Sequence, residues 1–161
     1  MKTHNHDDMG MQRMHYWKLL VMMIISFGVM YILMYSMVDT FSNVTPNINQ
    51  IYMAALMTAA MAIIELALMW HMYKNTILNF VIVGVSFVIL SGSFLLIRYQ
   101  GAVGDEQFLK SMIPHHAAAI LMVKEAPASD PQIKELQDNI IKSQQQEIDF
   151  MRSKLQELKA K

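Results

Sequence analysis

The chain has 161 residues, 13 acidic and 13 basic side chains, no formal net charge and an apolar fraction of 54 %. Balanced, unclustered charge excludes a nucleic-acid surface, which needs a basic face, and the absence of cysteine excludes disulfides and thiolate chemistry. The sulfur is all thioether, in seventeen methionines, most of which read as lipid contact and packing.

Between Leu19 and Ile97 the formal charges are Asp39, Glu65 and Lys74. Such charge-poor runs predict three membrane spans, at Trp17 to Val38, Ile51 to Tyr73 and Ile77 to Arg98, each near the ~20 residues needed to cross the hydrocarbon core. The first is too long for a signal peptide, and no small-residue cleavage site follows it. Residues 1–16, with His4, His6, Asp7, Asp8, Met9, Met11, Met14 and His15, are expected as a disordered cytoplasmic tail, with loose metal scavenging as the alternative. Lys2, Arg13 and Lys18 flank the first span, whereas the loop from Asp39 to Gln50 has neither Lys nor Arg. The positive-inside rule then puts the N-terminus in the cytoplasm and the C-terminal region outside, against the small dissent of Arg98.

After the membrane region (17–99), residues 100–104 read as a short flexible joint around Gly101 and Gly104. Residues 105–161 should form a helical hairpin. Asp105 is expected to cap a first helix over 106–125, and Asp130 with Pro131 to open a second that runs to Leu158. This outer segment is marginal for an independent core. Two rows share the apolar face of the first helix: Phe108, Met112, His115, Ala119 and Met122, beside Leu109, Ile113, His116, Ile120 and Val123. Both histidines are therefore expected in the apolar face. On the second helix Ile133, Leu136, Ile140, Gln144, Glu147, Met151 and Leu158 share a side.

Polar groups on a core face need partners, because each unpaired one costs about 1 to 3 kcal/mol. Either they hydrogen-bond one another, or the histidines bond neighbouring backbone such as the Lys110 carbonyl that Pro114 leaves without its helical amide, or they hold something. Thioether with imidazole suits a soft or borderline metal, Cu(I) above all, and a carboxylate widens the range towards Cu(II) or zinc.

The run Asp105-Glu-Gln-Phe-Leu-Lys-Ser-Met-Ile-Pro-His-His-Ala-Ala-Ala-Ile-Leu-Met122, followed by Gln144-Gln-Gln-Glu-Ile-Asp-Phe-Met151, resembles the family called domain of unknown function 305. The resemblance covers residues 105–161 and implies a ferritin-like helical fold that binds copper outside the cytoplasm, in a form anchored by three spans. It also implies Met112, His115, His116, Met122, Glu147 and Met151 as candidate ligands. The family often has an aromatic where this chain has Ser153-Lys154-Leu155, a difference read as packing.

The expectation is thus an all-α protein of the bacterial plasma membrane, with three transmembrane helices and an extracytoplasmic hairpin forming half of a ferritin-like four-helix bundle. Two helices cannot close such a bundle, so the hairpin is expected to pair with a second copy. The expected role is copper buffering, handover to a partner protein, or tolerance, without enzymatic activity, since no nucleophile and base pair or phosphate loop occurs. Two other readings stay open. Met57, Met61 and Glu65, on one face of the second span with Met69, could serve a copper permease, or the hairpin could be a metal-free interaction module.

Overall fold

The computed structural model describes residues 4–160, with side chains from Gly10 onward. It is all-helical among these residues, with α1 (His4–Leu33), α2 (Ile48–Leu68), α3 (Thr76–Arg98), α4 (Asp105–Glu125) and α5 (Pro131–Lys159), and two short 3-10 turns, Met34–Met37 and Phe41–Asn43, between α1 and α2. The chain divides into two compact units. One holds residues up to 32 with Ile51–Gly101, and the other Leu33–Gln50 with Ala102 onward.

Gly10–Met37, Ile48–Leu68 and Thr76–Arg98, which supply the helices of the first unit, are long and apolar enough to cross a membrane. Most of their large side chains point outward, as a lipid-facing surface requires. Small residues let helix backbones approach closely where no hydrophobic force drives helices together. The inward faces follow that rule: Ala54, Thr58, Ala59 and Ala62 precede Leu66 on α2, and Asn79, Ser86 and Ser93 recur every second turn of α3. Leu19, Leu66 and Tyr73 form the local core, packed by Tyr16, Met22, Met23, Met72, Ile82 and Val83.

α1 starts at His4, not near Trp17, so the expected tail is continuous with the span. The side chains of His4, His6, Asp7, Asp8 and Met9 lie outside the described residues. The turn joining α2 to α3 gives these first turns a purpose. Gln12 donates to the Met72 carbonyl at 3.4 Å and accepts from the Lys74 amide at 3.1 Å. One turn on, the Tyr16 hydroxyl accepts from the Asn75 amide and donates to Asn79 Oδ1 at 2.8 Å. Asn79 in turn donates to the Tyr73 carbonyl at 2.7 Å. A bend between spans has orphan backbone groups, and these side chains supply their partners.

In the second unit, α4 and α5 pack on one another around Leu109, Ile113, Ala117, Ile120, Ile148, Met151 and Leu155. Asp130 accepts from the Gln132 and Ile133 amides and Pro131 takes the first helical position, as expected. Asp105 is not a cap. The cap is Gly104, and Asp105 and Glu106 occupy the first turn, where they complement the helix dipole. Lys110 hydrogen-bonds Glu106 one turn back at 2.6 Å and holds that carboxyl below its usual value.

The 33–50 segment is part of this unit, which the sequence does not suggest. Val38 packs against the α4–α5 core. Thr45 Oγ1 donates to the Lys110 carbonyl at 2.7 Å, the very group that Pro114 leaves without an amide. Gln107 Oε1 accepts from the Ile48 amide. Arg152 donates to the Ser42 carbonyl and to Asn43 Oδ1 at 3.0 and 2.6 Å. These added residues enlarge a core that two helices alone leave marginal.

The 100–104 joint also differs from expectation. Its left-handed residues are Gln100 and Ala102, with φ of 51° and 58°, and neither is a glycine. Gly101 donates its amide to the Leu96 carbonyl and accepts from the Tyr52 hydroxyl, both at 2.9 Å. A Cβ at Gly101 would lie 2.4 Å from Leu96 Cδ2, so a larger residue there requires the exposed Leu96 side chain to shift.

Candidate functional site

Midway along the α4–α5 pair, His116 Nε2 lies 2.6 Å from Glu147 Oε2. Its other ring nitrogen, Nδ1, lies 3.0 Å from the Met112 carbonyl. A carbonyl only accepts, so Nδ1 carries hydrogen, and Nε2 faces a carboxylate oxygen. One proton must then sit between Nε2 and Oε2, on the ring or on the carboxyl. The His116 side chain is 8 % exposed and that of Glu147 is 58 % exposed, so the pair closes the edge of the core and opens to solvent through the carboxylate.

Placement of the other candidates follows from helix geometry. Met112 is one turn before His116, and Met151 is one turn after Glu147. The two helices run in opposite directions, because Gln137, early in α5, bonds the Val123 and Ala126 carbonyls at the end of α4. The two thioethers are therefore at the same level, one turn from the His–Glu pair. Met151 is buried in the core, and Met112 packs against it half-buried.

His115 is a correction. It is exposed, and its ring centroid is 6.2 Å from that of His116. Successive helical residues differ by about 100°, so only one of the two rows can face α5. The structure takes Leu109, Ile113, His116 and Ile120. Phe108, His115 and Met122 are left on the edge, with Phe108 and Met122 about half exposed.

The exposed row has a counterpart. Gln107, Lys110 and Arg152 meet the 33–50 segment on one flank of the pair. Helical rotation puts Phe108, Met112, His115 and Met122 of α4 on the opposite flank, together with Leu136, Ile140, Glu147 and Phe150 of α5. Leu136 is 57 % exposed and Phe150 is 67 % exposed. The flank that carries the His–Glu edge is thus apolar and open.

Copper, the metal that the resemblance implies, can be tested against these donors. His116 has its Nδ1–H fixed by a backbone carbonyl and its Nε2 directed at a carboxylate, the orientation typical of an imidazole ligand. Imidazole, carboxylate and thioether together suit copper. Among the described residues no three His, Asp or Glu side chains converge as a metal cluster, so a site here depends on the methionines. On that chemistry the residues fit a soft cation.

The membrane candidates are arranged differently from expectation. Met57, Met61 and Glu65 are each half-buried beside the small-residue face of α2. Glu65 lines a cleft of about 360 Å³ with His15, Lys18, Leu19, Met22, Met72 and Tyr73, and neither Met57 nor Met61 contributes to it. Four-residue spacing along α2 finds the stripe but not the partners, which come from α1 and from the turn after α2.

The model of the family described as Domain of unknown function (DUF305) matches residues 95–155. An uncharacterized protein of Acanthamoeba polyphaga mimivirus is 34 % identical over 144 residues, covering 88 % of this chain and 93 % of the viral protein. The similarity therefore reaches beyond α4 and α5 into the apolar spans. No solved structure matches.

Proposed function

Residues 95–155 carry the DUF305 domain, and on that premise we propose that the chain is a membrane-anchored copper-binding protein that buffers copper or hands it to a partner. The observation that carries the reading is the His116–Glu147 pair, with its tautomer fixed by the Met112 carbonyl and two thioethers one turn away. His116 Nε2 and the Glu147 carboxylate would hold the ion, with Met112 and Met151 as soft donors, and a bound copper ion would supply Lewis acidity and a redox couple. The protein's own part is proton exchange. The proton between Nε2 and Oε2 leaves when the ion enters and returns when it departs, so uptake releases a proton and acid favours release. The role proposed for the site is storage or transfer of the ion.

The outer segment is proposed to lie outside the plasma membrane, from the charge asymmetry of the loops. The open flank is proposed to pair with a second copy, which makes four helices around the two His–Glu edges, the ferritin-like arrangement. His115 and Met122 then stand at the rim of the shared core, where a partner copy can bring them into use.

Titration of the full-length protein in detergent with Cu(I), against a chromophoric chelator, tests the reading. Retention that falls in a His116→Ala, Glu147→Gln double variant supports it. Equal retention by the variant and the native chain overturns it.

A further inference from the structure

Independently of the α4–α5 site, we propose a second soft-cation site in the cleft between the early turns of α1 and the end of α2, with His15, Met22, Glu65 and Met72 as donors. All four line the same cleft. Glu65 is half-buried on a helix able to cross a membrane, and among the described residues its carboxylate has no hydrogen-bond or ion-pair partner. A carboxylate left so in a membrane segment is costly, and by default it marks a site with an unassigned partner.

The donor set says which partner. Two thioethers and an imidazole select a soft ion such as Cu(I) or Ag(I), whereas a hard divalent ion would ask for six or more oxygens. Charge agrees: one monovalent cation and one carboxylate make a neutral centre, the least costly state near a low-dielectric surface. Lys18 lines the cleft as well. Its long stem lets the ammonium reach water while the methylenes stay in the wall.

The walls are held in place. Gln12 bonds the Met72 carbonyl and the Lys74 amide, which fixes the turn that carries Met72. The His15 ring packs edge-on to Tyr73 at 6.5 Å. Donors so anchored lose little freedom on binding.

The test uses full-length protein in micelles in which His116→Ala and Glu147→Gln disable the α4–α5 site. The protein is expected to retain about one equivalent of Cu(I) or Ag(I), with sulfur in the first coordination shell. Adding Met22→Leu and Met72→Leu, which conserve volume, should weaken retention by at least about tenfold, and Glu65→Gln should do the same. Monodisperse elution and unchanged helicity check that the leucine variant is folded. No retention, or retention indifferent to these substitutions as from the His- and Met-containing first residues, overturns the proposal. The converse protein, with native α4–α5 and the two leucines, reports separately on the other site.

Discussion

His116 bridges two oxygens, the Met112 carbonyl of its own helix at 3.0 Å and the Glu147 carboxyl group of the facing helix at 2.6 Å. The neighbouring His115 is exposed. Two adjacent imidazoles thus have unequal roles. Alanine at His116 should weaken Cu(I) binding at least about tenfold, and alanine at His115 by clearly less. Competition titrations of the two single variants measure the difference, and equal losses would refute the asymmetry.

The shared proton sets the sign of the pH effect. Copper and proton compete for the same nitrogen and oxygen, so affinity should fall as pH falls, and calorimetry in buffers of different ionisation enthalpy should detect proton release on binding. A native protein that binds copper without releasing protons would contradict the displacement step.

Thr45 and Pro114 should be coupled. Thr45→Val leaves the Lys110 carbonyl without its 2.7 Å donor and should destabilise the α4–α5 unit by about 1 kcal/mol. Pro114→Ala restores a helical amide for that carbonyl, so Thr45→Val should cost less in its presence. Hydrogen exchange of the α4 amides in the four proteins of the cycle reads the coupling, and strict additivity would refute it.

Asp130 caps α5 through two amides. Asp130→Ala should cost about 1 kcal/mol and speed exchange at Gln132 and Ile133 while the middle of α5 stays protected. Slow exchange at both amides in the variant would contradict the cap.

The open flank makes a prediction about assembly. Phe108→Glu with Leu136→Glu places charge on two half-exposed apolar residues and should turn a dimer into a monomer, by sedimentation in detergent, without loss of helicity. An oligomeric state that the substitutions do not change would place the second copy elsewhere or exclude it.

The spans were legible because long apolar runs leave few alternatives, and α5 because Asp130 and Pro131 announce its start. The α4 face was only half legible. Its two rows are nearly equal in apolar content, and only the packed partner decides that His116 turns inward and His115 does not. Residues 33–38 read as the end of the first span and 39–50 as a loop, because the partner Arg152 is 110 residues from Ser42, and nothing local in Ser42, Asn43 or Thr45 points there. Glu65 stood out as a charge in a span. Its cleft did not, since His15 is on another helix and Met72 lies in the turn beyond the end of α2.

X-ray absorption at the copper edge of Cu(I)-loaded, full-length Met22→Leu, Met72→Leu protein tests the central claim most directly. The account predicts a mixed shell of imidazole nitrogen and thioether sulfur, with the nitrogen contribution reduced by His116→Ala and the sulfur contribution by Met112→Leu with Met151→Leu. A shell that none of these substitutions alters, or no copper retained after desalting, would contradict it.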